Sequence, residues 1–223
     1  MSSFDADNYR KIALYYRELG EKKLLKKSLS NINISKKVYL YYSRTRNIPI
    51  CTLPNFRLIL ASKLGFLSFC YNFFAFINVD KNVIPINSAN IQSIAKFVLS
   101  HEIGHILDPD ISKSKEEYSE ILSDIVDKII EYDIDINNTD FHKGNIPYDL
   151  ELCVLKLKQN LIARESKAWD IARDFLIFKD DSEKLVFNKM REYALATYNF
   201  GNLKNIVKEH NIDVFFKYKR YFK

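Results

Sequence analysis

Two of the chain's four histidines stand four residues apart in Ser100-His101-Glu102-Ile103-Gly104-His105-Ile106-Leu107, with a glutamate directly after the first. On a helix, positions four apart lie nearly above one another, so both imidazoles leave one face. Glu102 is rotated by one residue and reaches past them. Two imidazole nitrogens are good ligands for a dication such as zinc, and the carboxylate is placed to take a proton from an attacking water. Ile91, Ile94, Val98, His101 and His105 form one stripe, and Ala95, Leu99, Ile103 and Ile106 form a second beside it. A helix apolar nearly all round is a buried one. Histidines satisfied by backbone carbonyls would explain one imidazole. They would not readily explain two in register beside a glutamate that is costly to bury.

A catalytic zinc site needs a third protein ligand and leaves one position for water. The metzincin pattern is excluded, because Ile111 stands six residues after His105 and Asp108 replaces the required glycine. A long helix expected over 149–178 offers a better candidate. Its apolar stripe runs Val154, Leu157, Leu161, Glu165, Ala168, Ala172 and Phe175 in steps of three and four. An ionised carboxylate in that stripe is strongly disfavoured unless a cation meets it. The small Ala168 and Ala172 would let this helix approach the histidine helix closely. The alternatives for Glu165 are an ion pair with Arg164 or a side chain reaching the helix edge. Glu117, Glu120 and Asp124 compete as ligands, although most of them fall on the polar face of an amphipathic helix expected over 115–131. For a group that stabilises developing negative charge, His142, His210 and Tyr193 are candidates, and the sequence selects none of them.

Around these residues the chain must supply a core and a scaffold. With 223 residues, 47% of them apolar, it is long enough for one medium domain. The expected parts are an N-terminal helix within 1–30, a small sheet region over 35–87, the zinc-site helices over 88–178 and a C-terminal helical extension over 182–223. No apolar run is long enough to span a bilayer, and residues 1–7 lack a signal-peptide core, so cytoplasmic work is expected. Cys51, Cys70 and Cys153 are scattered among apolar neighbours and read as reduced thiols. The net charge of +6 permits acidic partners without demanding them. Lys22, Lys23, Lys26 and Lys27 read as a solvated helix end, and the basic, aromatic tail over 217–223 as a docked or frayed terminus. Nucleic acid is therefore not expected as a partner, nor is a membrane; a protein or peptide substrate is, and the oligomeric state stays open.

In finer detail, the pattern predicts a first helix over 5–27, a strand over 37–42 and a short helix over 55–64 that ends at Gly65. Two aromatic strands are expected over 66–71 and 73–79, and a short extended piece over 83–86. The histidine helix should open at Ser88 and stop before Asp108-Pro109-Asp110. In the 115–131 helix, Tyr118, Ile121, Leu122, Ile125, Val126, Ile129 and Ile130 form the apolar stripe. A polar loop over 134–148, near or over the site, precedes the long helix, and helices over 182–198 and 203–210 follow it. A sheet edge beside the metal would bind an extended peptide through its main chain.

These parts together resemble the gluzincin metallopeptidases, and more closely the ImmA/IrrE-like zinc peptidases. The likeness rests on Phe76-Ile77-Asn78-Val79, on Phe97-Val98-Leu99-Ser100-His101-Glu102-Ile103-Gly104-His105, and on Glu165-x-x-Ala168-x-x-Ile171-Ala172, and covers roughly residues 65 to 178. Asp108-Pro109-Asp110 stands where the family continues with apolar residues and histidine, and Trp169 where an acidic residue is common. The resemblance implies an α+β, zincin-like fold, mostly helical, with a small β-sheet preceding the histidine helix. It also implies Zn2+ held by His101, His105 and Glu165, Glu102 as general base, and a regulatory protein as substrate. A deformylase-like amidase is the neighbouring chemistry, but no cysteine lies in the glycine-containing motif such enzymes use. A non-catalytic zincin-like module that contacts a protein or nucleic acid is the alternative of a different class.

Overall fold

The computed structural model describes residues 6–30, 32–79, 84–136, 138, 140–141, 146–199 and 203–214. They are mostly helical with one small sheet, a general α+β arrangement. The chain divides into two compact units: residues 1–109 with 165–195, and residues 110–164 with 196–223. No helix among the described residues is long and apolar enough to cross a membrane.

The first unit opens with α1 (Ala6–Glu18) and α2 (Glu21–Ser30). The single helix expected over 5–27 is broken at Gly20, whose φ of +78° is the left-handed conformation that ends a helix. Glu21, just past the break, is buried and held by Arg44 at 3.1 Å and Lys63 at 3.0 Å.

Three strands follow: β1 (Tyr39–Ser43), β2 (Cys51–Leu53) and β3 (Leu58–Ser62), in the order β1-β3-β2. β3 pairs parallel with β1 and antiparallel with β2, which therefore lies at an edge of the sheet. The expectation of a helix over 55–64 fails. Only a 3-10 turn at Pro54–Phe56 forms, and Arg57 at φ 50° turns the chain into β3. Leu58, Ile59 and Leu60 then favour the extended form, and Ile59 and Ala61 point inward to the core.

The two aromatic strands expected over 66–71 and 73–79 are one helix, α3 (Lys63–Val79). Its buried residues Phe66, Leu67, Cys70, Phe73, Phe74 and Ile77 recur at helical, not alternating, spacing. Aromatic content favours strands only weakly, and here the periodicity decides. Ser62 caps the helix: its hydroxyl accepts from the Gly65 N–H at 2.9 Å and donates to the Ile48 carbonyl at 2.7 Å. Residues 84–86 are not a strand, and residue 83 lies outside the described residues.

The centre of this unit is α4 (Ser88–Leu107), capped by Asn87 accepting from the Asn90 N–H at 2.9 Å. It packs against α1, α2, α3, β2 and β3, which explains why it is apolar nearly all round. The unit is completed by residues 165–175 of α6 (Tyr148–Phe175) and most of α7 (Asp181–Asn199).

The second unit contains α5 (Ile111–Glu131), the first part of α6 and α8 (Leu203–Glu209). Its core is built from Ile125, Ile129, Leu150, Leu157, Leu161, Leu203 and Ile206. Of the stripe expected on α5, Ile130 is exposed instead of buried. α6 begins one residue earlier than expected, at Tyr148, and ends at Phe175. Within the loop over 134–148, residues 137, 139 and 142–145 lie outside the described residues.

Candidate metal centre

Helix α4 brings His101, Glu102 and His105 to its surface within one turn, and α6 faces them with Glu165. All four side chains are buried. His101 Nε2 lies 3.0 Å and His105 Nε2 3.4 Å from the same oxygen, Glu165 Oε2. One ligand atom from each of His101, His105 and Glu165 falls within 4.8 Å of the others, so the cluster could hold a metal ion. Two ligand atoms each about 2.0–2.2 Å from one tetrahedral ion lie roughly 3.3–3.6 Å apart. The two histidine–glutamate separations fall within or just below that range, so this donor set could hold a cation.

The close approach of the two helices has a local cause. A Cβ placed on Gly104 would lie 2.1 Å from the Ala168 carbonyl oxygen. Only glycine lets the α6 backbone settle this closely on α4 beside the two histidines. A glycine inside a strong helical pattern, which otherwise costs about 1 kcal/mol against alanine, was the available signal. On the other side of Ala168, Trp169 stacks on the His101 ring with centroids 4.4 Å apart and 26° between planes. His101 Nδ1 is buried without a hydrogen-bond partner, as is Trp169 Nε1. The ring is thus oriented by stacking and by its contact with Glu165, where a metal-binding histidine ordinarily donates to a second acceptor.

The electrostatics follow from burial. Desolvation holds the His101 imidazole below its ordinary pKa, and its hydrogen bond with Glu165 only partly opposes this. Burial by itself would raise the Glu165 carboxyl, but the hydrogen bonds from His101 and His105 pull it well below the usual carboxylate range. Glu165 is therefore an ionised carboxylate aimed at two imidazoles. Glu102 behaves differently: burial pushes it up to about 7, with His105 opposing and Glu165 adding to the shift. Cys51 on β2 is raised by its own burial and by the nearby charge of Glu102, which places the edge strand close to the site.

The competing carboxylates do not join this cluster. Glu117, Glu120 and Asp124 are exposed on α5 in the second unit. Arg164 lies over the Tyr118 ring, with 5.3 Å to the centroid. Of the candidate charge stabilisers, Tyr193 sits in an aromatic cluster with Phe69, Phe73 and Phe76, and burial raises its hydroxyl pKa. His210 is bonded to the Tyr118 hydroxyl at 2.7 Å in the second unit, and His142 lies outside the described residues. Cys51 is half-buried, Cys70 and Cys153 are buried, and all three are free thiols.

Comparison of the chain with protein-family models, with curated proteins and with solved structures yields no match to any of the three.

Proposed function

We propose that the chain is a zinc-dependent metallopeptidase that works inside the cell, of the gluzincin type that the ImmA/IrrE-like peptidases exemplify. The observation that carries this reading is the convergence of His101 Nε2, His105 Nε2 and Glu165 Oε2 at a buried site with Glu102 beside them. Structural clusters of this kind are usually closed by a fourth protein ligand, and catalytic zinc sites keep three with one place open. Zinc held there would supply a Lewis acid and lower the pKa of a water molecule to about 7.

The chain's own residues do the rest. Glu102, buried beside the two imidazoles, takes a proton from the attacking water and returns it to the leaving amine. Trp169 fixes the plane of the His101 ring. The outer edge of β2 pairs with an extended polypeptide and lays it along α4, which β2 contacts. A protein is therefore the favoured substrate, and a regulatory protein is the class that the resemblance implies.

The test compares wild type with Glu102→Gln for zinc content and for cleavage across a whole proteome. The expected variant keeps zinc and loses turnover by about 10²–10⁴-fold, the usual worth of a positioned general base. Wild type that binds no zinc, or a Glu102→Gln protein that cleaves as well as wild type, overturns the proposal.

A further inference from the structure

The outward face of the sheet lacks the polar alternation of a solvated strand. Register places Tyr39, Leu58 and Leu53 in one row across the three strands, and Tyr41, Leu60 and Cys51 in the next, all on the side opposite buried Ile59 and Ala61. Tyr39 is 52% exposed, Tyr41 45% and Leu53 40%, and Phe56 at the adjoining turn is 71% exposed. Contiguous exposed apolar surface of this kind marks a binding face.

Its charge is one-sided. From Lys22 to Val79 the chain carries ten Lys and Arg and no Asp or Glu. Glu21 pairs with Arg44 and Lys63. Lys36, Lys37, Arg46 and Arg57 are exposed around the sheet, and the Lys37 ammonium lies 5.1 Å over the centroid of the Tyr39 ring.

We propose that this face binds single-stranded nucleic acid, with bases stacked on Tyr39, Tyr41 and Phe56 and phosphates met by Lys36, Lys37, Arg46 and Arg57. Three of the four most exposed large side chains here are aromatic, and every base has a π-face to stack on them. The surrounding cations answer the backbone charge without reading sequence. A duplex hides the faces of its bases, so unpaired strands are required. A second copy of the chain is disfavoured, because a two-fold contact would set cations against cations. The binding is independent of the metal centre and of the peptidase reading.

The experiment measures the anisotropy of short fluorescein-labelled single-stranded DNA and RNA with the full chain at low and raised salt. Expected is saturable binding that weakens with salt and prefers single strands to duplex. Tyr41→Ala and Phe56→Ala should each weaken it by roughly fivefold or more, and Tyr41→Phe should not. Lys36→Gln with Lys37→Gln should flatten the salt dependence. Phe56→Ala removes so exposed a ring that its folding is not at stake, and thermal melts confirm the tyrosine variants. No binding at low salt, equal affinity for duplex, or affinity unchanged in both aromatic variants overturns the proposal. So does capture by phosphatidylserine vesicles or a poly-glutamate peptide with no binding of oligonucleotide.

Discussion

Helix α4 is flanked by two buried acids, and they are treated in opposite ways. Glu183, on α7, accepts from the Ser93 hydroxyl at 3.2 Å, from Lys96 Nζ at 3.2 and 3.3 Å and from the Lys179 N–H at 2.7 Å. Each of these groups faces Glu183 as a hydrogen-bond donor, and Lys96 supplies the opposite charge. Glu165, on the other side of α4, meets two imidazoles whose nitrogens can offer either a proton or a lone pair. The spacing differs too. Lys96 spans the gap to Glu183 with a full side chain, whereas at Gly104 the α6 backbone of Ala168 meets α4 with no side chain between them. A buried carboxylate by itself therefore says little about function; the chemistry of what faces it separates a clamp from a ligand.

The largest expected difference between the two acids is in metal binding. Structural zinc sites bind with about 10–16 kcal/mol, so losing one protein ligand of a small set should cost roughly a hundredfold or more. Glu165→Ala should thus lose zinc affinity by that amount, measured by competition with a chromogenic chelator on protein whose fold is checked by circular dichroism. Unchanged affinity would break the ligand assignment.

Next comes a pH dependence. Glu102 has a folded pKa of about 7 against an ordinary value of 4.5. The folded protein keeps a proton that the unfolded chain has already released, so metal-free stability should fall as pH rises from about 4.5 through about 7. At 1.36 kcal/mol per pKa unit the loss is about 3 kcal/mol. Urea melts of metal-free Glu102→Gln should lack that part of the slope.

Glu183→Ala removes the counter-charge of the largely buried Lys96, leaving it the Ile177 carbonyl at 2.9 Å, and should cost about 3 kcal/mol in the same melts, with zinc stoichiometry untouched. If instead it removes zinc, the two acids are not separate devices. In Gly104→Ala the methyl favours the helix by about 1 kcal/mol, but it meets the Ala168 backbone, so overpacking costs about 3 kcal/mol or more and the net loss is at least about 2 kcal/mol. A stabilised variant would mean that α6 yields freely.

The histidine pair and Glu165 were legible because both belong to long helices whose 3.6-residue period is unambiguous, so a polar residue in the buried stripe stands out. Glu183 does not stand out in the sequence, since its partners Ser93 and Lys96 come from a distant element and only the tertiary structure joins them. α3 resembles two strands for a different reason: Phe66, Phe73, Phe74 and Phe76 raise strand preference, while the deciding signals are the three-and-four spacing and the Ser62 cap. β2 and β3 were hidden because β2 has only three residues, too few to show alternation. Beyond the Lys36-Lys37 pair, the cations around the sheet face lie apart in sequence, so no long charge run marks them. Strand register was needed to gather the rings they surround.

Trp169 is the chain's single tryptophan, and it lies face to face with His101. Light absorbed at the red edge of the ultraviolet band therefore samples one place in the molecule. Indole emission is sensitive to the protonation and ligation of a stacked imidazole. The untagged protein thus carries its own optical gauge of occupancy, with no dye or substrate required.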